Sequence, residues 1–139
     1  MLPESGAILV YLADGTPYLP EESIQRAQVL RWMFFEQSNL LTNLGRPRLW
    51  RMRGVEITPR KEAELDDLFE AGYKALGMME RHLGDREFFV GNLPTAADVA
   101  LYAYTRLCPE GGYDLEGYPR VSAWLERIES LPGYVQPPA

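Results

Sequence analysis

The sequence predicts an all-α domain in which helices surround one buried central helix. Proline and glycine divide its 139 residues into five stretches with helical spacing of apolar residues. No stretch has the pattern of a substantial sheet, and the helix predicted near residue 100 has no wide polar face. Hydrophobic residues make up 46% of the chain, which is enough for a core without disulfides.

The first predicted helix covers residues 5–13. Ser5 is a favourable N-cap, and Asp14-Gly15 provides the stop. The surrounding segment "LPESGAILVYLADG" is apolar on nearly every side, so we expect the helix to lie under another structural element.

The second predicted helix begins near Pro20 and ends at Asn43 or Leu44, before Gly45. Its apolar residues form two faces, and we expect one to meet the core and the other to meet another domain or subunit. The first face consists of Ile24, Ala27, Leu30, Phe34 and Leu41, and the second of Val29, Met33, Leu40 and Leu44.

A third helix is predicted from Thr58-Pro59 to Gly84, with one apolar seam. Gly72 lies in that seam, which predicts the close approach of another backbone. A last helix begins at Tyr118-Pro119 and ends at Pro132-Gly133, and residues 136–139 are expected to fray.

The central helix is predicted over residues 96–107, after a short buried extended segment, residues 88–90. Thr95 and Asp98 have the spacing of a capping box, with Asp in place of the commoner Glu or Gln. Each residue is expected to accept a hydrogen bond from the backbone amide of the other. A lost cap on this helix should cost about 1–2 kcal/mol, and a lost Asp98 more.

Composition makes several classes of function unlikely. The net charge of −6 argues against a nucleic-acid partner, and no apolar run is long enough to span a membrane. Cys108 is the single cysteine and the first residues do not resemble a signal peptide, so we expect a reducing compartment, the cytoplasm. We expect no metal site, because the chain has one His and one Cys.

Three further features of the sequence are interpreted as structural rather than catalytic. The basic stretch "GRPRLWRMR", residues 45–53, is interpreted as a solvated loop, with anion binding as the alternative. His82 is interpreted as a cation near a helix C-terminus, and Cys108 as an inert residue at the core edge. No pair or triad of residues has convincing catalytic spacing.

Glu4-Ser5 allows two interpretations. A serine at a helix N-terminus with free backbone amides is a ready anion site, and a neighbouring glutamate adds a place for a cation, as in an amino acid. The alternative is plain helix capping.

Four segments resemble cytosolic glutathione S-transferases of bacterial type: "ESGAILVYLA", "RWMFFEQ", "HLGDREFFVGNLPTAADVALYAY" and "YPRVSAWLERIESLPGY". The first is similar to the last helix of the family's thioredoxin-like domain, and the others to its helical domain. The resemblance therefore implies that residues 1–17 are a remnant of the first domain and residues 18–139 the helical domain, a bundle around a buried central helix.

The resemblance also implies roles for individual residues. Glu4 and Ser5 would hold the γ-glutamyl end of glutathione, whereas Thr95 and Asp98 would be a structural cap. A substrate pocket would be bordered by Phe34, Ser38 and Leu41, near the neighbouring subunit of a homodimer. Polar contacts from the second helix to glutathione would come from Gln37, Ser38 or Asn39.

The family's thiol-activating residue lies early in the thioredoxin-like domain, and none of the residues here matches it. We therefore expect no catalytic residue in this chain and little activity from it alone. The parent enzyme would use glutathione as co-substrate, without a permanently bound cofactor, and attack a hydrophobic electrophile or a disulfide. The alternative is a non-catalytic helical interaction module of the same superfamily, with the first two helices as docking surfaces.

Overall fold

The computed structural model describes residues 1–136, and this range is all-helical, as the sequence predicts. Residues 137–139, which include most of the segment expected to fray, lie outside the described residues. The elements are α1 (Ser5–Ala13), α2 (Ser23–Phe35), a π-helical turn (Glu36–Leu40), α3 (Leu41–Asn43), α4 (Gly45–Met52), α5 (Pro59–Leu83), α6 (Ala96–Leu107), a 3₁₀ turn (Cys108–Gly111) and α7 (Pro119–Glu129).

Helix α2 begins at Ser23, three residues later than predicted. The Glu22 carboxylate accepts hydrogen bonds from the amides of Ile24 at 2.9 Å and Gln25 at 2.8 Å, so Glu22 is the N-cap. Helical structure continues through the π-helical turn to Asn43. One face of this long segment is buried through Val29 and Leu40, whereas Phe34 on the other face is exposed.

The basic stretch 45–53 forms a helix, so its interpretation as a loop is wrong. Pro47 is the third residue of α4, within the first turn, where a backbone N–H needs no intrahelical acceptor. The helix packs closely on its neighbours: a Cβ on Gly45 would lie 2.8 Å from the Tyr104 ring, and one on Gly111 would lie 3.0 Å from the Arg48 nitrogen. Tertiary packing therefore stabilises a segment of low helix propensity.

Helix α5 is continuous over 25 residues and buries the predicted seam around Gly72, Leu76 and Met79. The group that approaches Gly72 is a side chain and not the expected backbone. A Cβ there would overlap the Tyr113 hydroxyl, which itself lies 2.8 Å from the Asn43 carbonyl and 2.9 Å from the Leu68 carbonyl. Gly72 thus makes room for a hydroxyl that links α5 to the end of α3.

Asp98 is fully buried and accepts four hydrogen bonds. Its Oδ2 accepts from the Thr95 amide at 2.9 Å and from the Thr95 hydroxyl at 3.0 Å. Its Oδ1 accepts from the amide of Phe89 and the indole nitrogen of Trp124, both at 3.0 Å. The predicted Thr95–Asp98 capping box is confirmed, and Asp98 also binds two segments that the box does not include.

The environment of Asp98 acts on its ionisation in two directions. Burial raises the pKa of the carboxyl above its ordinary value, while the four hydrogen bonds stabilise the carboxylate and act against that rise. Phe89, whose amide binds Asp98, is itself buried, with its ring against the rings of Trp32, His82 and Trp124.

Helix α1 lies at the surface. Ala13 is its only buried residue, and Ile8, Tyr11 and Leu12 are exposed. Helix α6 lies at the centre of the fold but is not enclosed on every side, because Val99 and Ala103 are exposed. None of the helices in residues 1–136 combines the length and the apolar character needed to cross a membrane.

We predict that Asp98→Asn destabilises the domain by about 3 kcal/mol, because an amide nitrogen would face buried donors and leave at least one of them unpaired. Asp67→Asn, a change of the same atoms on the exposed side of α5, should cost less than about 0.5 kcal/mol. Urea denaturation followed by circular dichroism measures both. A loss below about 1 kcal/mol for Asp98→Asn would contradict the central role of this carboxylate.

Candidate functional site

The N-terminus of α1 contains an unusual backbone conformation. Glu4 has φ 70° and ψ 116°, and no other non-glycine residue in the described range has a positive φ. A conformation of this kind costs about 1–3 kcal/mol, and such residues concentrate at functional sites. Glu4 occupies the N-cap position, so Ser5 is the first helical residue and not the N-cap that the sequence predicts.

No side chain caps α1. The first bond of the helix runs from the Ile8 amide to the Glu4 carbonyl at 3.0 Å. The amides of Ser5, Gly6 and Ala7 consequently have no acceptor within the helix. These groups and the positive end of the helix dipole favour a bound anion, and the neighbouring Glu4 carboxylate favours a cation.

A cleft of about 850 Å³ begins at Ser5 and lies over the open side of α6. Its lining is mainly apolar, with a few polar and charged side chains. The lining residues are Ser5, Gly6, Ile8, Leu9, Glu36, Leu41, Thr42, Leu44, Gly45, Arg46, Arg48, Leu49, Val99, Ala100, Ala103, Tyr104 and Leu107.

Glu36 is the buried acid of this cleft and begins the π-helical turn. Its side chain is only 4% exposed, and its Oε2 accepts a hydrogen bond from Gln37 Nε2 at 2.7 Å. Burial raises the pKa of the Glu36 carboxyl, while the bond from Gln37 lowers it. Single π-helical turns are frequent at functional sites, and this one lies where α2 meets the cleft.

A second cleft, of about 640 Å³, lies between α1 and α2. It is lined by Glu4, Gly6, Ala7, Val10, Tyr11, Asp14, Arg26, Leu30, Met33, Phe34 and Gln37. Gly6 belongs to both clefts, so the N-terminus of α1 lies at their junction.

The structure divides the predicted site residues between the two clefts. Ser5 and Leu41 line the larger cleft, whereas Glu4 and Phe34 line the smaller one. Ser38 lines neither, and its hydroxyl donates a hydrogen bond to the Phe34 carbonyl at 2.9 Å. The predicted single pocket of Phe34, Ser38 and Leu41 is therefore not one surface in this structure.

The three polar residues expected to contact glutathione from the predicted second helix lie in the π-helical turn and differ in availability. Gln37 lines the smaller cleft beside Glu4. The amide of Asn39 donates to the Phe35 carbonyl at 3.1 Å, so this side chain, like that of Ser38, is directed onto its own helix. Hydrogen bonds of this kind compete with the regular helical ladder, which is consistent with the π-helical turn here.

Two other residues considered from the sequence lie outside both clefts. His82 Nε2 lies 2.8 Å from the Phe89 carbonyl and its ring packs on Trp32 and Phe89. Burial lowers the pKa of His82, which disfavours the cationic role at the helix end. Cys108 is fully buried, and burial raises the pKa of its thiol to about 12, so it is unreactive at neutral pH. Residues 1–136 contain no group of three His, Cys, Asp or Glu side chains suited to a metal ion.

Sequence reasoning misses Glu36 as a residue of the larger cleft, because no motif singles it out within "RWMFFEQSNL". For Arg46 and Arg48 it gives anion binding only as the alternative to a solvated loop. The available signal for Glu36 is an acid directly after the apolar run of residues 32–35. The arrangement as a whole suits binding: an anion at the start of α1, a cation at Glu4 and an apolar group in the larger cleft.

The family model for the glutathione S-transferase C-terminal domain matches residues 24–132. The chain therefore belongs to the glutathione S-transferase family, as the resemblance implies. This match includes every helix from α2 to α7 except the first residue of α2.

Individual relatives agree with this assignment. The chain is 30% identical over 134 residues to the disulfide-bond oxidoreductase YfcG of Escherichia coli, covering 93% of this chain and 59% of that protein. It superposes with a TM-score of 0.92 and 41% identity on a glutathione S-transferase from Pseudomonas fluorescens, covering 97% of this chain and 67% of that one. The chain thus spans about six tenths of the curated relative's length.

A third comparison concerns the ligand. A glutathione transferase family member from Pseudomonas fluorescens, solved with two glutathione bound, superposes with a TM-score of 0.80 and 27% identity. The matched region covers 94% of this chain and 60% of that one.

We predict that the buried Glu36 makes stability depend on pH. Burial raises the folded-state pKa of Glu36 above the ordinary 4.5. The stabilising contribution of the protonated carboxyl to the free energy of unfolding is therefore fully present below pH 4.5, and it is lost as pH rises through the folded-state pKa. The free energy of unfolding of the wild type should therefore fall relative to that of Glu36→Gln between pH 5 and pH 8. Urea titrations at each pH measure the difference.

The exposed Glu126→Gln on α7 is the matched control and should show no such trend. A constant difference between the wild type and Glu36→Gln over this range would contradict the assigned ionisation.

Proposed function

We propose that this chain provides the γ-glutamyl-binding part of a glutathione site, together with an apolar wall for the second substrate, in an enzyme that transfers glutathione. The observation that carries the proposal is the N-terminus of α1. Its amides lack acceptors within the helix, Glu4 has a strained backbone, and both lie at the junction of two clefts. The glutathione bound in a structural relative supports this choice of ligand.

In this proposal each group has one role. Ser5 and the first amides of α1 bind the γ-glutamyl carboxylate, and Glu4 binds the ammonium group beside it. Leu41 and Phe34 border the apolar surface, each in its own cleft. Thr95 and Asp98 act only as the structural cap that holds α6.

The reaction we propose is attack by the glutathione thiolate on a hydrophobic electrophile or on a disulfide. The sulfur forms a bond to the electrophilic carbon or to one sulfur of the disulfide, and the leaving group departs with the electron pair of the broken bond. We assign thiol activation to a thioredoxin-like domain, of which residues 1–17 are the last part. We therefore propose that this chain does not conjugate glutathione to an aryl halide at ordinary rates on its own.

We also propose a cytoplasmic location and a homodimer. A buried, unpaired Cys108 is suited to a reducing compartment. The exposed apolar side chains of α1 and α2, among them Tyr11 and Phe34, are the proposed contact surface between subunits.

Binding of the peptide tests the main proposal. We predict that S-methylglutathione, which has no free thiol to oxidise, shifts the backbone amide resonances of Ser5, Gly6 and Ala7 in the ¹⁵N-labelled chain. Ser5→Ala should weaken binding roughly three- to tenfold, because one hydroxyl donor is lost while the amides remain.

Ser23→Ala is the matched control, since Ser23 is the first residue of another exposed helix start. It should leave binding unchanged. Shifts confined to other parts of the chain, or equal binding by Ser5→Ala and the wild type, would contradict the proposed glutathione site.

The oligomeric proposal has its own test. We predict that the chain self-associates at micromolar concentration and that Phe34→Glu shifts the equilibrium towards the monomer, because a charge would have to be buried in the contact. Leu93→Glu is the matched control: Leu93 is 63% exposed and Phe34 71%, but Leu93 lies far from α2 along the chain. Sedimentation equilibrium measures both, and a strictly monomeric wild type would contradict the proposal.

A further inference from the structure

Two arginines line the larger cleft of a chain whose net charge is −6. Arg46 and Arg48 lie on α4, and most of the remaining lining is aliphatic or aromatic. The proposed glutathione site at the start of α1 does not use them. A pair of cations beside an apolar surface indicates a ligand that has both an apolar part and an anionic part.

Each arginine is held by one ion pair that leaves other donors available. One Nη of Arg46 lies 2.5 Å from Glu64 Oε1, and Nε of Arg48 lies 2.6 Å from Glu110 Oε2. A guanidinium has five N–H donors, so a single contact leaves enough for a second carboxylate. Neither glutamate belongs to the cleft lining, so the paired acids hold the arginines from outside the cleft.

The backbone that carries the arginines is also fixed. Gly45 packs against the Tyr104 ring at one end of α4, and Gly111 of the 3₁₀ turn packs against the Arg48 backbone. Positioned guanidinium groups lose less entropy when they bind a ligand, and their planar geometry suits a carboxylate.

The one acid of the cleft lining is outnumbered by these charges. Glu36 is buried, and its carboxyl accepts a hydrogen bond from Gln37. The lining therefore has two cations, Arg46 and Arg48, and one acid, next to the aliphatic side chains of Leu41 and Leu49.

We propose that the larger cleft takes an apolar co-substrate that carries a carboxylate, and that Arg46 and Arg48 bind that carboxylate. This inference rests on the proposed function, because it names the class of second substrate for that site. It makes the arginines specificity-determining residues, with no part in bond making.

Matched ligands test the proposal. The probes are 1-naphthoate and 1-naphthamide, which share the apolar ring system and differ in the charge of the substituent. Titration of the ¹⁵N-labelled chain should give about tenfold tighter binding of naphthoate, with shifts at residues 46–49. Arg46→Gln combined with Arg48→Gln should abolish the preference and leave naphthamide binding unchanged.

Two further variants separate charge, geometry and folding. Arg81→Gln removes an exposed charge elsewhere, on α5, and should retain the full preference. Arg46→Lys with Arg48→Lys keeps both charges and should give an intermediate preference, because the planar fork is lost. Equal binding of the two probes by the wild type, or a preference that persists in the double Gln variant, would overturn the proposal.

A competition with S-methylglutathione distinguishes the sources of the carboxylate. Naphthoate that stays bound in the presence of the peptide supports a separate co-substrate, whereas displacement overturns this inference in favour of a peptide carboxylate at the arginines. Failure of the glutathione proposal is seen independently, as missing peptide-induced shifts at Ser5, Gly6 and Ala7.

Discussion

The Asp98 carboxylate joins three segments of the chain, two of them close in sequence and the third on α7. It receives hydrogen bonds from Phe89 in the buried segment before α6, from the start of α6 at Thr95 and from α7 at Trp124. The carboxylate is fully buried, and all of its partners are neutral donors. Burial of the charge is unfavourable, and four hydrogen bonds offset that cost only when all three segments are in place. The network therefore couples the position of α6 to the rest of the core.

This coupling fixes the position of α6, which forms one wall of the larger cleft. Helix α6 buries Leu101 and Thr105 towards the core and presents Val99, Ala103 and Tyr104 to the cleft. The Thr105 hydroxyl donates to the Leu101 carbonyl at 2.7 Å, so this buried hydroxyl needs no partner outside α6. A shift of α6 would move the surface on which α1 and α4 rest. The structural cap and the candidate site are consequently connected through one helix, although no atom of Asp98 lines either cleft.

The parts of the fold that sequence predicts are those set by local patterns. The Thr95–Asp98 box follows from a spacing of three residues, and the α5 seam follows from helical periodicity. Helix α4 could not be predicted this way, because its stability comes from glycines that admit the Tyr104 ring and the 3₁₀ turn. The candidate site follows only in part from the sequence, which indicates Glu4 and Ser5 as site residues. Their position in separate clefts depends on how α1 packs between its neighbours. The burial of Glu36 likewise depends on the π-helical turn, which no local pattern indicates.

The two ends of helix α1 need different surroundings. Its N-terminus must stay open if the amides of Ser5, Gly6 and Ala7 are to bind an anion, whereas the exposed Tyr11 and Leu12 near its C-terminus present apolar surface that favours a cover. The Asp14–Arg26 ion pair at 2.9 Å ties the end of α1 to α2. This pair is exposed and contributes little to stability. Apolar contacts that cover Tyr11 and Leu12 would therefore hold α1 in place more firmly than this ion pair does. With α1 held in place, the strained Glu4 and the open amides would keep their binding geometry. In the proposed enzyme the same contact would both complete the fold and prepare the glutathione site.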